Sequence, residues 1–125
     1  MSTITPVPVG TNLALLVGTL SRPPELRPLP SGEVVLGLEL TIRPADGPAE
    51  SVPVAWYAPS ADAPDWPAGE EVVVAGRTRR RFFRSGGQTQ SRTEVVATAA
   101  VPTRKAAAAR RAVAAALAEV CPPGG

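Results

Sequence analysis

The sequence predicts an all-β domain, a small closed or nearly closed barrel of five strands, followed by one extra C-terminal α-helix. Two observations predict this fold. Five segments have the alternating or β-branched composition of strands, and proline- and glycine-rich connections separate them. The last segment is instead rich in alanine at helical spacing. The predicted strands are residues 12–20, 33–42, 51–57, 72–84 and 91–101, and the predicted helix is residues 103–120.

The first two strands differ in pattern. Residues 12–20 form an apolar run in which Gly18 predicts a bulge or a close approach of two backbones. Residues 21–32 contain four prolines, which exclude a helix, and are predicted to be a rigid connection. Residues 33–42 alternate, with leucine at every second position, which indicates a strand with one buried face.

The third strand and the connection after it carry both tryptophans. Val52, Val54 and Trp56 share one side of the strand, and Pro53 favours an edge position or a bulge because proline cannot donate to a ladder. Residues 58–69 are too rich in proline for more than a turn of helix. Trp66 is interpreted as a plug over the open end of the core, with a ligand platform as the weaker alternative.

The fourth strand passes from buried valines into a cationic, aromatic surface. At strand period, Arg77, Arg79, Arg81 and Phe83 project to one side, and Thr78, Arg80 and Phe82 to the other. Such a row can hold phosphates and stack a base. The competing interpretation is a solvated face that protects an edge strand.

The hairpin and the helix complete the chain. Ser85-Gly86-Gly87 is predicted to be a hairpin tip. In the returning strand Val95, Ala97 and Ala99 are predicted to face one side. Thr103 can cap the helix. The apolar stripe predicted for the helix is Ala106, Ala109, Val113, Leu117 and Val120.

Charge and composition narrow the class of function. The net charge is +2, but residues 1–71 carry 3 basic and 9 acidic residues, and residues 72–125 carry 10 basic and 2 acidic residues. A concentrated basic half indicates a polyanionic partner or an acidic protein. There is no histidine and only one cysteine, Cys121, so no zinc site, other cofactor, internal disulfide or nucleophile–base pair is expected, and the chain is not predicted to be an enzyme. A soluble, cytoplasmic protein without membrane contact is expected.

Several motifs in order resemble one family. They are N-L-A-L-L-V-G-T-L from Asn12, P-E-L-R-P-L-P-S-G from Pro24, the alternating strand that follows, W-P-A-G-E-E-V-V-V-A-G-R from Trp66 and T-E-V-V-A from Thr93. Together they are similar to the bacterial single-stranded DNA-binding protein (SSB) family over residues 12–101. The resemblance implies an oligonucleotide-binding (OB) fold over residues 12–102, between a flexible lead (1–11) and the helix with a flexible end (121–125). It also implies a homo-oligomer, a tetramer or dimer, that coats single-stranded DNA at the nucleoid during replication, recombination and repair.

The resemblance also suggests which residues contact DNA. Trp56 and Phe83 match positions at which the family stacks bases, and Arg79 and Arg81 match basic positions. The predicted single-strand-binding residues are Trp56, Arg77, Arg79, Arg80, Arg81, Phe83 and Arg84. Asp46 and Glu50 stand where the family often has tryptophan. An alanine-rich helix is expected where the resemblance would imply an acidic tail that recruits replication or recombination proteins. These departures favour a divergent paralogue, and they leave open a primosomal SSB-like adaptor or a protein-interaction module with weak DNA affinity.

Overall fold

The computed structural model describes residues 8–57 and 64–120, which are mostly β with one C-terminal helix. The strands are β1 (Ala14–Leu20), β2 (Glu25–Pro28), β3 (Val34–Ile42), β4 (Glu50–Tyr57), β5 (Glu71–Ser85) and β6 (Gln88–Pro102), and the helix is α1 (Ala106–Val120). Much of the predicted lead, residues 58–63 of the proline-rich connection and the end containing Cys121 lie outside the described residues.

Five of the strands form one closed sheet in the order β1-β5-β6-β4-β3, because β1 also pairs with β3. The pairing of β1 with β3 joins Thr19 to Thr41 and Leu20 to Leu40. All pairings are antiparallel except that of β4 with β6, which joins Val54 to Val95 and Ala55 to Val96. The predictions of a closed five-stranded sheet and a C-terminal helix are therefore confirmed.

The connection between β1 and β3 differs from the prediction because it contains a strand. β2 has four residues and pairs antiparallel with the first half of β3, with Leu26 opposite Leu36. Its prolines are compatible with pairing: Pro23 and Pro24 precede the strand and Pro28 ends it, which are the positions at which a missing N–H costs least.

The core fills the space enclosed by the closed sheet. Its fully buried side chains are Leu20, Leu36, Leu40, Val72 and Val74. Gly18 lies where β1 crosses β3 closely, since a Cβ there would be 2.7 Å from the Thr41 carbonyl oxygen. The predicted close approach at Gly18 is confirmed. Trp66 packs against the core cluster, as its interpretation as a plug requires.

A β-bulge interrupts the pairing of β5 with β6. Ala75 lies opposite Ala99, but Gly76 lies opposite Ala97, so Thr98 has no partner in the ladder. Its hydroxyl instead donates to the Ala75 carbonyl oxygen at 3.1 Å. The extra residue changes the phase of β6, so Ala100 joins the core and the prediction that Ala99 faces the same side as Ala97 is wrong.

Helix α1 packs on the sheet at β5 and β6. It buries Ala109, a member of the predicted apolar stripe, and Ala116, which was not predicted. Val113 and Val120 of the stripe are half-buried, but Ala106 and Leu117 are exposed, so the stripe is only partly confirmed. Thr103 is not the predicted cap, because the helix begins three residues later, at Ala106, and the Thr103 hydroxyl is directed to the Glu71 carboxylate, to which it donates at 2.7 Å. Within residues 8–57 and 64–120, no helix is long and apolar enough to cross a membrane.

Candidate functional site

Beyond the residues of β6 that pair with β4, β5 and β6 continue as a two-stranded arm that runs from Arg79 and Glu94 to the hairpin tip. All residues from 80 to 93 are exposed, whichever side of the ribbon they face. Gly86 and Gly87 form the tip with φ angles of 61° and 81°, the left-handed conformation that a two-residue hairpin turn requires. At the base of the arm, Asn12 hydrogen-bonds both the backbone N–H and the carbonyl of Thr78, at 3.0 and 2.8 Å. These bonds anchor the arm to the segment before β1.

The arm holds the predicted arginines in two groups. Arg79, Arg81 and Phe83 share one side of β5 and lie opposite Glu94, Arg92 and Gln90 of β6. Arg80 and Arg84 alternate onto the other side, opposite Thr93 and Thr89. Arg77 is on the first side but lies at the foot of the arm, beside a cavity between α1 and the sheet.

A groove of about 280 Å³ lies on the outer face of the sheet, where β3, β4 and β6 meet the arm. Its floor includes Gly37 and Ala55, which are cross-strand partners and leave a shallow depression because neither has a long side chain. The guanidinium of Arg27 extends over Gly37, since a Cβ on that glycine would be 3.0 Å from Arg27 Nη2. Arg81 and Arg92 form the side of the groove next to the arm.

Tyr57 is the aromatic residue of the groove, and two charged residues determine its position. Arg79 Nη2 donates to the Tyr57 hydroxyl oxygen at 2.7 Å and to Glu94 Oε1 at 2.5 Å. The Arg79 guanidinium carbon lies 5.2 Å from the centroid of the tyrosine ring, within the range of a cation–π contact. The hydrogen bond to Glu94, with a smaller contribution from Tyr57, raises the pKa of Arg79 above its ordinary value. Arg79 is thus a permanent cation whose charge is already partly balanced.

The charges of the groove are only partly paired. Arg22 and Glu39 form an exposed ion pair at 3.4 Å, and the Ser51 hydroxyl donates to the same glutamate at 2.6 Å. Within the part of the chain that the structure describes, the ion pairs are those of Arg22, Arg79 and Arg104, so Arg81 and Arg92 have no carboxylate partner. The groove is therefore most electropositive beside the arm.

Trp56 does not lie with the arginines. It pairs with Leu36, packs against the core cluster and stacks on Trp66, with ring centroids 6.4 Å apart and planes inclined by 18°. Its neighbour Tyr57 faces the groove because successive strand residues face opposite sides. Phe83 is 36% exposed and Phe82, on the other side of the arm, is 66% exposed.

Tyr57, Arg92 and Arg27 are residues of the groove that were not among the predicted site residues. The sequence contained a signal for Tyr57, because Val52, Val54 and Trp56 form one apolar face and therefore assign the neighbouring position to the outer face. Arg92 could be found from the hairpin tip, since a two-residue turn at Gly86 and Gly87 fixes the register of the two strands. Arg27 gave no such signal, because its strand was not predicted.

Searches against protein-family models and against curated protein sequences found no match to this chain.

Proposed function

We propose that this chain is an OB-fold module that binds single-stranded DNA without sequence preference. The observation that carries the proposal is the groove, which Tyr57, Arg81 and Arg92 line together at the foot of an exposed basic arm. Aromatic rings next to cations suit unpaired polynucleotide, because every base has a face that can stack and every nucleotide has a phosphate.

The position of the groove supports an OB fold. If the five strands of the closed sheet are counted without β2, then β3 and β4 are the second and third strands, and the groove lies on their outer face. The connection between the first and second strands carries β2, and the hairpin between the fourth and fifth is the arm. OB folds are small five-stranded barrels that bind oligonucleotides on this face and with these two connections.

The residues take different roles in this proposal. Tyr57 and Phe83 offer rings, Arg81 and Arg92 offer charge for phosphates, and Arg79 orients Tyr57 while balancing Glu94. Trp56 is assigned to the core rather than to stacking. Stacking is worth about 1–3 kcal/mol per base, so two rings in one subunit bind weakly. A homo-oligomer, a dimer or tetramer acting in replication, recombination or repair, would gain avidity from several grooves on one strand.

Titration of fluorescent oligo-dT at several salt concentrations tests the proposal. The logarithm of the association constant is expected to fall with the logarithm of salt concentration, with a slope near −0.7 for each phosphate contacted. Phe83→Ala should weaken binding, whereas Phe82→Ala is the matched control on the opposite side of the same strand. No binding, or binding that does not depend on salt, would contradict the proposal.

A protein-interaction module or SSB-like adaptor is a second candidate, and one observation favours it. The groove contains three carboxylates, those of Glu25, Glu39 and Glu94, and these oppose a polyanion unless each is paired. This candidate predicts that the chain copurifies with a second OB-fold protein and produces no mobility shift of oligo-dT. A shift of oligo-dT by the purified chain alone would reject it.

A further inference from the structure

Two arginines face each other directly across the ladder of the arm. Arg81 of β5 and Arg92 of β6 are Cα partners in the antiparallel register. Residues in directly opposed positions have Cβ atoms about 4.5–5.5 Å apart, and like charges placed there destabilise the pair of strands. Both side chains line the groove, so the repulsion is located inside the candidate site.

No carboxylate of the described residues forms an ion pair with Arg81 or Arg92. Glu94 lines the same groove, but its side chain is 7% exposed and accepts the short hydrogen bond from Arg79. The other ion pairs of the described residues join Arg22 to Glu39 and Arg104 to Glu70. Arg81 and Arg92 therefore form a pair of cations that an external anion would stabilise.

We infer that Arg81 and Arg92 form a clamp for one phosphate of the bound polynucleotide. This inference rests on the proposed function and adds to it the atoms that are recognised. A phosphodiester has two non-bridging oxygens, and each guanidinium of the clamp donates to one of them. Arginine suits this role because its planar fork of donors matches phosphate geometry and because it is always charged. Tyr57 in the same groove then receives a base next to the clamped phosphate.

The chain provides a matched control for the clamp. Arg80 is on the same strand and is exposed, but it faces the other side of the arm, opposite Thr93. Arg80→Gln removes the same charge from the same ribbon without changing the groove. A general electrostatic effect would weaken binding equally in all three variants, whereas a clamp distinguishes Arg81→Gln and Arg92→Gln from Arg80→Gln.

The first experiment measures oligo-dT affinity against salt concentration for the wild type, the three single variants and the double variant Arg81→Gln/Arg92→Gln. Each clamp variant is expected to lose about tenfold in affinity and to reduce the salt slope by about 0.7. Arg80→Gln should lose clearly less affinity than either clamp variant, because Arg80 does not line the groove and contributes only to the general charge of the arm. The double variant should lose less than the product of the two single losses, because both arginines contact one phosphate. Equal losses in Arg92→Gln and Arg80→Gln would overturn the clamp.

The second experiment measures thermal unfolding at constant ionic strength, without ligand and with sodium tripolyphosphate or oligo-dT. Without ligand, Arg92→Gln should raise the Tm by about 1–5 °C because the repulsion is removed. Tripolyphosphate should raise the Tm of the wild type more than that of the variant, and oligo-dT should do so at lower concentration if the clamp serves a polynucleotide. A wild type that does not respond to oligo-dT contradicts the proposed function. An equal response of wild type and variant to tripolyphosphate contradicts the clamp itself.

Discussion

At the residue scale, the chemistry of the groove depends most on the position of the Tyr57 side chain. The guanidinium of Arg79 both contacts its ring and donates to its hydroxyl, and Glu94 holds that guanidinium in turn. A stacking ring that is fixed in advance loses less entropy when a base binds. The position of the Tyr57 ring therefore depends on both Arg79 and Glu94.

Tyr57→Ala is expected to weaken binding of oligo-dT by about 1–3 kcal/mol, the contribution of one stacked base. Tyr57→Phe keeps the ring but loses the hydrogen bond from Arg79, so it should retain most of the affinity. Fluorescence titration measures both, and circular dichroism monitors the fold. Full affinity in Tyr57→Ala would remove this residue from the site.

Trp56→Ala is expected to reduce stability rather than to remove a ligand contact. Its ring packs on the core and stacks on Trp66, so truncation leaves a cavity. The free energy of unfolding should fall by about 2–4 kcal/mol. This is somewhat less than for a fully buried aromatic residue, because Trp56 is only half-buried. Thermal or urea unfolding measures this loss. A variant with unchanged stability but lost DNA affinity would return Trp56 to the role that the family resemblance implied.

The contrast between Trp56 and Tyr57 indicates how far the sequence can predict the site. Alternation in the strand predicts that the two rings face opposite sides, and the valines that precede Trp56 identify its side as the core. The resemblance favoured Trp56 on the basis of residue type and position alone. The opposition of Arg81 and Arg92 follows from the register of a two-residue turn, but the ion pair of Arg79 with Glu94 depends on side-chain conformations that no pattern specifies.

At the scale of elements, the β5–β6 hairpin combines a buried half, which contains the bulge at Thr98, and an exposed half, residues 80–93. The alternation of β6 predicted a regular strand. The bulge shifts this alternation by one residue, but β6 has no glycine or proline at that point to signal it. The signal lies on the partner strand instead, at Gly76. β2 was not predicted because the four prolines of residues 21–32 favour a connection without regular structure, although four of its residues pair with β3.

Gly76→Ala is expected to destabilise the protein by about 1–3 kcal/mol or more, as overpacking in a closely packed site does. A Cβ at this position would be 2.0 Å from the Val96 carbonyl oxygen, and backbone atoms cannot move aside as a flexible side chain can. Gly47→Ala is the matched control, because its nearest neighbour would be a Pro44 side-chain carbon at 3.7 Å. Chemical denaturation of both variants measures the difference. Equal stability would contradict the close packing at the bulge.

At the scale of the whole molecule, the uneven charge of the chain becomes an uneven surface. The arm and the side of the groove next to it carry most of the described arginines of the basic half, whereas the first half of the chain supplies Glu25 and Glu39 to the same groove. One copy of the chain therefore has a small cationic surface limited by carboxylates. For this reason we propose that several copies bind one strand of DNA.

Affinity should depend on DNA length in steps if the protein acts as an oligomer. Once an oligo-dT is long enough to reach a second groove, its affinity should rise by about 10²–10⁴ without any new type of contact. Titration with a series of lengths, together with mass from light scattering, measures this step. A smooth increase with length and the mass of one chain would indicate an independent monomer.

The narrow parallel contact between β4 and β6 has a consequence for how the closed sheet and its ligand influence each other. Only Val54 with Val95 and Ala55 with Val96 join these strands, and Ala55 is also part of the groove floor. The seam between β1 and β3 has equally few pairs, but its paired residues do not line the groove. Under the proposed function, DNA that spans Tyr57 and the arm would therefore contact both strands of the β4–β6 seam. If this is correct, binding of DNA in the groove would favour the pairing of β4 with β6, and loss of that pairing would weaken DNA binding.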